Sequence, residues 1–286
     1  MTNTSIYQDM AQRTGGDIYL GLVGPVRTGK STFIRRFMET LVIPNIEDVY
    51  ARERAKDELP QSGSGRTIMT AEPKFVPEDA VNVTLDGGVS FSVRLVDCVG
   101  YMVDGASGQF EDGAERMVAT PWFDEEVSMS RAAEEGTRRV IAEHSTIGVV
   151  MTTDGSICGI PREGYVPAEE RVVAELKAIG KPFVLVLNSA DPDSDAAQAL
   201  RAELADKYGV TCVCVNCLDL TGEDIDDILR FALYEFPIAE LGIYLPSWLD
   251  ALPADAPLKA GIFEGIAEAV QHMSLSLIHI SEPTRH

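Results

Sequence analysis

Residues 24–32 read Gly-Pro-Val-Arg-Thr-Gly-Lys-Ser-Thr and contain the full spacing G-x-x-x-x-G-K-[ST] of a phosphate-binding loop. In such a loop, glycines let backbone N–H groups approach phosphate oxygens, a lysine reaches the β- and γ-phosphates, and a hydroxyl binds Mg²⁺. Lys30 and Ser31 occupy these last two positions. The motif predicts a nucleoside-triphosphate site with contacts from Gly24, Arg27, Thr28, Gly29, Lys30, Ser31 and Thr32.

A second candidate group follows a predicted strand at residues 91–96. Asp97 stands at the carboxyl end of that strand, and Gly100 follows three residues later. An aspartate in this place can hold Mg²⁺ through a water molecule, and a backbone N–H at Gly100 can contact the γ-phosphate. Position 101 is tyrosine, where many GTPases carry a glutamine that orients the attacking water. We therefore expect slow turnover or a different source of water activation.

Residues 61–70 form a polar, glycine-rich segment suited to a switch loop that orders around triphosphate and Mg²⁺. We expect Thr70 to sense the γ-phosphate and to bind Mg²⁺ with Ser31 and Asp97, and Thr67 is the alternative. Arg66 has two interpretations: a charge supplied to the transition state, or an ordinary exposed arginine.

Base recognition is predicted at residues 184–191, Val-Leu-Val-Leu-Asn-Ser-Ala-Asp, in the place of the guanine-reading N-K-x-D motif. Asn188 and Asp191 match that motif and are candidate nucleotide contacts. Ser189 replaces the lysine whose stem stacks over guanine, so guanine selectivity is unsupported. Asp191 has a second interpretation as the cap of the next helix.

The loop is flanked by the elements that must position it. Residues 17–23 predict a short buried strand, and the apolar residues after the loop recur at helical spacing: Phe33, Ile34, Phe37, Met38 and Leu41. Further along, strands at 146–152 and 182–187 alternate with helices, one opened by Pro167 and closed by Gly180. Residues 81–85 pair antiparallel with 91–96. The pattern predicts an α/β fold of the P-loop NTPase, GTPase-like class: a doubly wound, mostly parallel sheet with an antiparallel edge strand.

The composition restricts the possible partners. The 286-residue chain has a formal net charge of −21, which argues against nucleic-acid binding and against direct attraction to anionic lipid. Its start lacks the features of a signal peptide, and five cysteines without an even pairing indicate a reducing cytoplasm. Cys212, Cys214 and Cys217 lack a fourth ligand nearby in sequence, which favours core packing over a zinc site.

Four segments together resemble the stage IV sporulation protein A family: residues 24–32, 63–70 with 72–77, 95–101, and 244–248. The resemblance covers roughly residues 1–273. It implies a P-loop protein of GTPase ancestry that hydrolyses ATP with Mg²⁺ and assembles with itself into the basement layer of the bacterial spore coat. It also implies coat proteins as partners. The implied location is the mother-cell cytoplasm, on the forespore outer membrane, through a short amphipathic membrane-bound peptide. Ala71 departs from the family, where a second threonine is expected.

The same resemblance predicts the organisation of the chain. We expect a P-loop ATPase domain at residues 1–236 and the start of an incomplete middle domain at 237–273. Residues 274–286 resemble a translated adapter and are interpreted as a non-native tail, the alternative being a natural strand and tail.

Two other functional classes remain open. A regulatory GTPase, for example in ribosome assembly, fits Asp97, Gly100, Asn188 and Asp191 but not Ser189. A small-molecule kinase would use the same phosphate loop, but the sequence shows no arginine-rich lid. Nucleotide preference separates the ATPase from the GTPase, and release of free phosphate separates both from the kinase.

Overall fold

Helices and strands alternate along the chain in the computed structural model, which describes residues 3–60, 73–85, 88–103, 110–111, 114–236, 243, 245–249, 252–253 and 256–271. The strands are β1 (Asp17–Val23), β2 (Lys74–Leu85), β3 (Val89–Asp97), β4 (Phe110–Glu111), β5 (Ala114–Glu115), β6 (Met117–Val118), β7 (Val127–Ser128), β8 (Ile147–Thr153), β9 (Phe183–Asn188) and β10 (Cys212–Val215). The helices are α1 (Asn3–Thr14), α2 (Lys30–Phe37), α3 (Val49–Asp57), α4 (Met129–His144), α5 (Arg162–Ile179), α6 (Asp195–Tyr208), α7 (Gly222–Tyr234) and α8 (Pro257–Gln271).

Six strands form the central sheet in the order β10-β9-β8-β1-β3-β2. All neighbouring pairs are parallel except β2 with β3, which is antiparallel and places β2 at the edge. The pairs β4–β5 and β6–β7 form two small ladders apart from this sheet. The predicted α/β fold, with a mostly parallel sheet and an antiparallel edge strand, is confirmed.

Helices cover both faces of the sheet, which explains the continuous apolar runs of its central strands. Every residue of β8 and β9 is buried. Ile6 of α1, Phe33 of α2 and Ile228 of α7 belong to the core on one face. Val140 of α4 and Val172 of α5 belong to the core on the other. A strand buried on both faces cannot alternate polar and apolar residues, so its sequence shows an uninterrupted apolar run.

Helix α5 begins earlier than the sequence predicts. Pro161 is its N-cap, in extended conformation, and Pro167 lies inside the helix instead of opening it. The added turn places Tyr165 in the core, fully buried. It also brings Arg162 to Glu169, with 2.8 Å between Nη2 and Oε1. The burial of Tyr165 and this ion pair within α5 outweigh the backbone hydrogen bond that an internal proline lacks.

Glu169 is a buried carboxylate that joins three elements. It receives hydrogen bonds from Thr152 of β8, from Arg162 at the start of α5 and, across 2.7 Å, from the Tyr208 hydroxyl at the end of α6. Its side chain is completely buried. Because each donor comes from a different element, this network fixes α5 and α6 against the sheet.

Local caps mark the limits of other helices. Gly209 ends α6 in left-handed conformation, and Thr221 and Asp224 form a reciprocal capping box at the start of α7. Helix α2 continues beyond Phe37 as a π-helical turn, Met38–Val42, and a 3₁₀ turn, Ile43–Asn45. None of the described helices is long and apolar enough to cross a bilayer.

The cysteine cluster lies along β10 and the loop that follows it. Cys212 and Cys217 are buried, Cys214 is partly buried, and all three thiols are free. Burial raises the pKa of Cys212 to about 12 and that of Cys214 to about 11. Within the described ranges, no three His, Cys, Asp or Glu side chains are placed to hold a metal ion. The predicted tail at 274–286 lies outside those ranges, and the predicted domain limits stay predictions.

Candidate nucleotide-binding site

The predicted phosphate loop connects β1 to α2 at the carboxyl edge of the sheet. Asp97 lies at the end of β3 and Asn188 at the end of β9, at this same edge. Strand order reverses about β1, since β3 lies on one side of it and β8 on the other. In doubly wound sheets this crevice, outside the carboxyl ends of the strands, is where ligands bind.

Lys30 is the first residue of α2 and is held in place by the loop itself. Its Nζ atom donates to the carbonyl oxygens of Pro25 at 2.6 Å and Gly24 at 3.3 Å. Burial lowers the pKa of Lys30, while the nearby Cys98 and Asp97 act in the opposite direction. The ammonium group is therefore held inside the loop. Because it is buried, negative charge placed next to it stabilises its charged form.

Ser31 and Asp97 meet beside this lysine. The Ser31 hydroxyl donates to Asp97 Oδ2 across 2.6 Å. Burial raises the pKa of Asp97, and the Ser31 hydrogen bond and the Lys30 charge oppose that rise. A hydroxyl and a carboxylate form a pair of hard oxygen donors, the ligand type that Mg²⁺ prefers. The pair therefore fits the metal that the phosphate-loop motif implies.

Gly100 brings the chain after β3 against the phosphate loop. Its φ is +89°, and a Cβ there would stand 2.1 Å from the Gly24 carbonyl oxygen and 2.6 Å from Lys30 Nζ. Tyr101 then pairs with the loop through its backbone. Its N–H donates to Gly24 at 3.2 Å, and its carbonyl accepts from Val26 at 2.8 Å. Only glycine at position 100 allows this close approach.

The Tyr101 side chain faces the core instead of the crevice. It is 3 % exposed, and its hydroxyl donates to Glu175 of α5. Burial, followed by this hydrogen bond, raises the pKa of the Tyr101 hydroxyl. The residue in the place of the water-orienting glutamine is thus fully engaged elsewhere.

Asn188 connects two loops. Its Nδ2 donates to the Thr28 carbonyl and its Oδ1 accepts from the Cys217 N–H, both at 3.1 Å. The predicted base-reading position is therefore tied to the phosphate loop on one side and to the loop after β10 on the other.

Asp191 lies exposed at the same edge, three residues beyond Asn188. The alternative interpretation of Asp191 as a helix cap is wrong, because Ser194 caps α6 by accepting from the Ala197 N–H. The Asp191 carboxylate has no hydrogen-bond partner among the described residues, so it remains available to a ligand.

Sequence reasoning missed Asp154, which follows β8 at the same edge. Ser189 donates its hydroxyl to Asp154 Oδ2 at 2.6 Å. Ser156 donates to Oδ1 through its N–H at 2.9 Å and its hydroxyl at 2.6 Å. Burial acts to raise the pKa of Asp154, but the hydrogen bonds from Ser156 and Ser189 lower it overall. The one signal in the sequence was a carboxylate directly after a buried strand.

The structure brings most of the predicted residues together. Gly24, Arg27, Thr28, Gly29, Lys30, Ser31 and Thr32 lie in the loop and the first turn of α2, against Asp97, Gly100 and Asn188. Thr28 is buried and donates its hydroxyl to the Pro25 carbonyl at 2.9 Å. Thr70, with Thr67 and Arg66, lies outside the described residues, so the switch-loop assignments stay predictions.

Comparison with known proteins gives a consistent result. Residues 1–237 match the sequence model of the family described as "Stage IV sporulation protein A, ATPase domain". The chain is 51 % identical over 268 residues to stage IV sporulation protein A of Clostridioides difficile (strain 630), covering 94 % of this chain and 55 % of that protein. It is 51 % identical to the Bacillus anthracis protein and 50 % identical to the Bacillus subtilis (strain 168) protein. Each of these two matches spans 271 residues, 95 % of this chain and 55 % of the relative.

The chain spans about half the length of the curated relatives it matches. The similarity extends over nearly all of this chain, and the matched family region contains the phosphate loop, Asp97 and Asn188. The chain belongs to the stage IV sporulation protein A family and carries that family's ATPase domain.

Proposed function

We propose that this chain binds ATP with Mg²⁺ at the crevice around Lys30 and hydrolyses it, and that hydrolysis drives self-assembly into the basement layer of the spore coat. Two observations support the proposal: the match to an ATPase domain of a sporulation family, and the Ser31–Asp97 pair beside a buried lysine. The second carries the chemistry, because it places two oxygen donors next to a cation in a phosphate loop.

Each residue has a role in this proposal. Lys30 exchanges its bonds to the loop carbonyls for the β- and γ-phosphate oxygens, and the backbone of residues 24–32 encloses the phosphates. Ser31, Asp97 and Thr70 would hold Mg²⁺, with Asp97 acting through water. The bound metal would supply positive charge to the phosphate oxygens. The Gly100 N–H, which borders the loop, contacts the γ-phosphate.

The preference for ATP over GTP follows from the residues near the base. Ser189 is engaged by Asp154 and has no stem to lie over a purine. Asn188 forms hydrogen bonds to two loops, so it positions these loops as well as contributing to the choice of base. The lysine of the guanine-reading motif is absent. Of the groups that are retained, only the carboxylate of Asp191 makes no hydrogen bond to the described residues. This arrangement supports an ATPase over a regulatory GTPase.

The partners in this proposal are further copies of the chain and the spore coat proteins, consistent with the sporulation names of the relatives. We place the protein in the mother-cell cytoplasm, on the forespore outer membrane, through a short amphipathic membrane-bound peptide. A net charge of −21 supports recruitment through a protein partner over direct binding to anionic lipid or nucleic acid.

Release of phosphate from ATP and GTP, measured in parallel, tests the enzymatic part. We expect release from ATP in preference to GTP, and near-complete loss in Lys30→Ala. Lys207→Ala is the matched control, because Lys207 pairs with Glu170 on the surface. A Lys30→Ala protein as active as the wild type, or a strong wild-type preference for GTP, would contradict the proposal.

Sedimentation tests the link to assembly, in a chain extended to the full length of its relatives. We expect pelleting with ATP, and reduced pelleting with a non-hydrolysable analogue or in Thr70→Ala. Thr70 senses the γ-phosphate in this proposal, so its loss uncouples assembly while nucleotide binding persists. Equal pelleting in all three conditions would contradict a role of hydrolysis in assembly.

A further inference from the structure

Arg27 has an unusual backbone conformation within the phosphate loop. Its φ is +65°, and it is the single non-glycine residue with positive φ in the described part of the chain. Residues other than glycine rarely adopt this left-handed conformation. A glycine would hold the same loop shape without strain, so the loop does not need an arginine for its conformation. Such outliers concentrate at functional sites.

The half-buried Arg27 side chain forms no ion pair with the described residues. Its Nη2 atom is buried and has no hydrogen-bond partner among the described residues. Arg162 pairs with Glu169. Arg94 Nε is likewise buried without a hydrogen-bond partner, but the Arg94 guanidinium lies 4.8 Å and 4.5 Å from the ring centroids of Tyr19 and Phe75. A buried nitrogen of a cation without an acceptor is costly unless a ligand satisfies it.

Cys158 and Tyr165 lie near Arg27. The Cys158 thiol lies 3.6 Å from the Arg27 carbonyl oxygen and 2.8 Å from the Tyr165 hydroxyl. Burial raises the pKa of Tyr165, and the Arg27 charge only partly opposes that rise, so this hydroxyl is neutral near pH 7. The Tyr165 hydroxyl therefore supplies no negative charge to Arg27.

The loop that carries Arg27 is the one that encloses the phosphates, and Lys30 lies three residues further on. Hydrolysis also needs stabilisation of the charge on the transferring group, and Tyr101 does not assist the chemistry, because its side chain is buried and donates to Glu175. Charge builds up on the phosphoryl oxygens as the γ-phosphoryl group leaves ADP, and arginine is well suited to stabilise it.

We propose that Arg27 is a catalytic residue of this site, whose guanidinium contacts the γ-phosphoryl oxygens as ATP is hydrolysed. This inference rests on the proposed ATPase function. The oxygen of a water molecule bonds to Pγ while the bond from Pγ to the β–γ bridging oxygen breaks. ADP keeps the electron pair of that bond, and a proton of the water is released to solvent as phosphate leaves.

Arg27→Gly tests this proposal, because glycine keeps the left-handed conformation while removing the charge. We expect kcat to fall roughly 10³-fold, the lower end for an arginine that acts on a transferring phosphoryl group. The affinity for a non-hydrolysable ATP analogue should change little. The variant should lose the extra affinity for ADP with aluminium fluoride, which mimics the transferring group. Added guanidinium ion should restore part of the turnover.

Two further variants serve as controls. Arg27→Lys keeps the charge without the planar fork, so it should retain more turnover than Arg27→Gly. Tyr165→Phe removes the hydroxyl beside Arg27, and it should leave binding of ADP with aluminium fluoride intact. Thermal unfolding of each variant verifies that the fold is preserved.

Several outcomes would overturn the inference. Wild-type kcat in Arg27→Gly would exclude a catalytic role. Parallel loss of kcat and analogue affinity, without rescue by guanidinium, would make Arg27 a structural residue of the loop. A wild-type chain that releases no phosphate from ATP would contradict the proposed function itself. An active wild type with an equally active Arg27→Gly would contradict only the role of Arg27.

Discussion

Asn188 lies so close to Gly29 that a Cβ at position 29 would stand 2.3 Å from its Nδ2 atom. The same amide donates to the Thr28 carbonyl, and its oxygen accepts from the Cys217 N–H. Gly29 also has a φ of +93°, which is a second reason why position 29 favours glycine. The second glycine of the phosphate loop and the asparagine that ends β9 therefore depend on each other, and the asparagine supports the loop before any base is bound.

Asn188→Ala tests this mutual dependence. We expect the free energy of unfolding to fall by about 1–3 kcal/mol, because a buried carbonyl and a buried N–H lose their partners. Affinities for ATP and GTP should fall by similar factors, since the lost contacts shape the loop and not the base. Urea unfolding and nucleotide titration measure both effects. Asn216→Ala is the control, and a loss confined to GTP would contradict this role.

The sequence allowed the sheet and the phosphate loop to be predicted because both depend on local spacing. Strands β8 and β9 are buried along their whole length, so their apolar runs are visible without a structure. Contacts between loops could not be predicted in this way. Asp154 and Ser189 are 35 positions apart, and nothing in either segment indicates that they meet.

The start of α5 was mispredicted for a related reason. A proline usually marks the first turn of a helix, and this rule predicts that α5 begins at Pro167. The actual start depends on the ion pair between Arg162 and Glu169 within α5 and on the burial of Tyr165 in the core, and a rule for proline positions includes neither. The preference of proline for the first turn of a helix is weaker than the stabilisation from a buried ion pair and a buried ring.

Asp97→Asn should separate stability from activity. Burial raises the pKa of Asp97, so the folded chain binds this proton more tightly than the unfolded chain. The contribution of Asp97 to stability is therefore full below its unfolded pKa and is lost as pH rises through its folded pKa. Asparagine stays neutral and still accepts from Ser31, so the nucleotide-free variant should be more stable by about 1 kcal/mol at neutral pH.

Thermal unfolding of both proteins at pH 5 and pH 8, without nucleotide, measures this difference, which should grow with pH. The variant should also lose phosphate release and the stabilisation that ATP with Mg²⁺ gives the wild type. Lower stability of the variant at pH 8 would contradict the assignment of Asp97 as a carboxyl group whose pKa is raised by burial.

Ser189→Lys should raise the use of GTP relative to ATP, because it restores the stem that stacks over guanine. The structure adds a condition, since Asp154 accepts from Ser189 and would pair with the new ammonium. The double variant with Asp154→Ala should therefore gain more than the single one. Base contacts worth ~1.5–3 kcal/mol correspond to about a tenfold shift or more in kcat/KM. Unchanged ratios in both variants would exclude this edge as the base site.

Glu169→Ala should be strongly destabilising. It leaves Arg162 without its anion and removes the acceptor of Thr152 and Tyr208, which costs about 3–5 kcal/mol for a buried pair. Glu170→Ala is a matched control on the same helix, because Glu170 pairs with Lys207 at the surface and should cost less than about 1 kcal/mol. Urea unfolding compares the free energies of unfolding of the two variants. Equal losses would contradict the proposed role of Glu169 in stabilising the fold.

Tyr101 provides the sharpest test of how this site differs from a GTPase. Its backbone pairs with the phosphate loop through Gly24 and Val26, while its ring lies in the core with its hydroxyl on Glu175. Tyr101→Phe keeps the backbone pairing and the ring. We therefore expect unchanged turnover and a loss of about 0.5–1.5 kcal/mol in stability from the missing hydrogen bond.

Tyr101→Gln introduces the amide that orients water in many GTPases, but at a position whose side chain faces the core. We expect a larger loss of stability than in Tyr101→Phe, because the ring leaves a cavity, and no increase in the rate of phosphate release. Phosphate release and urea unfolding of the two variants measure these effects. Faster turnover in Tyr101→Gln would show that position 101 reaches the attacking water, and a large loss of turnover in Tyr101→Phe at unchanged nucleotide affinity would place the hydroxyl in the chemistry. Either result would contradict the placement of the Tyr101 side chain in the core, away from the chemistry.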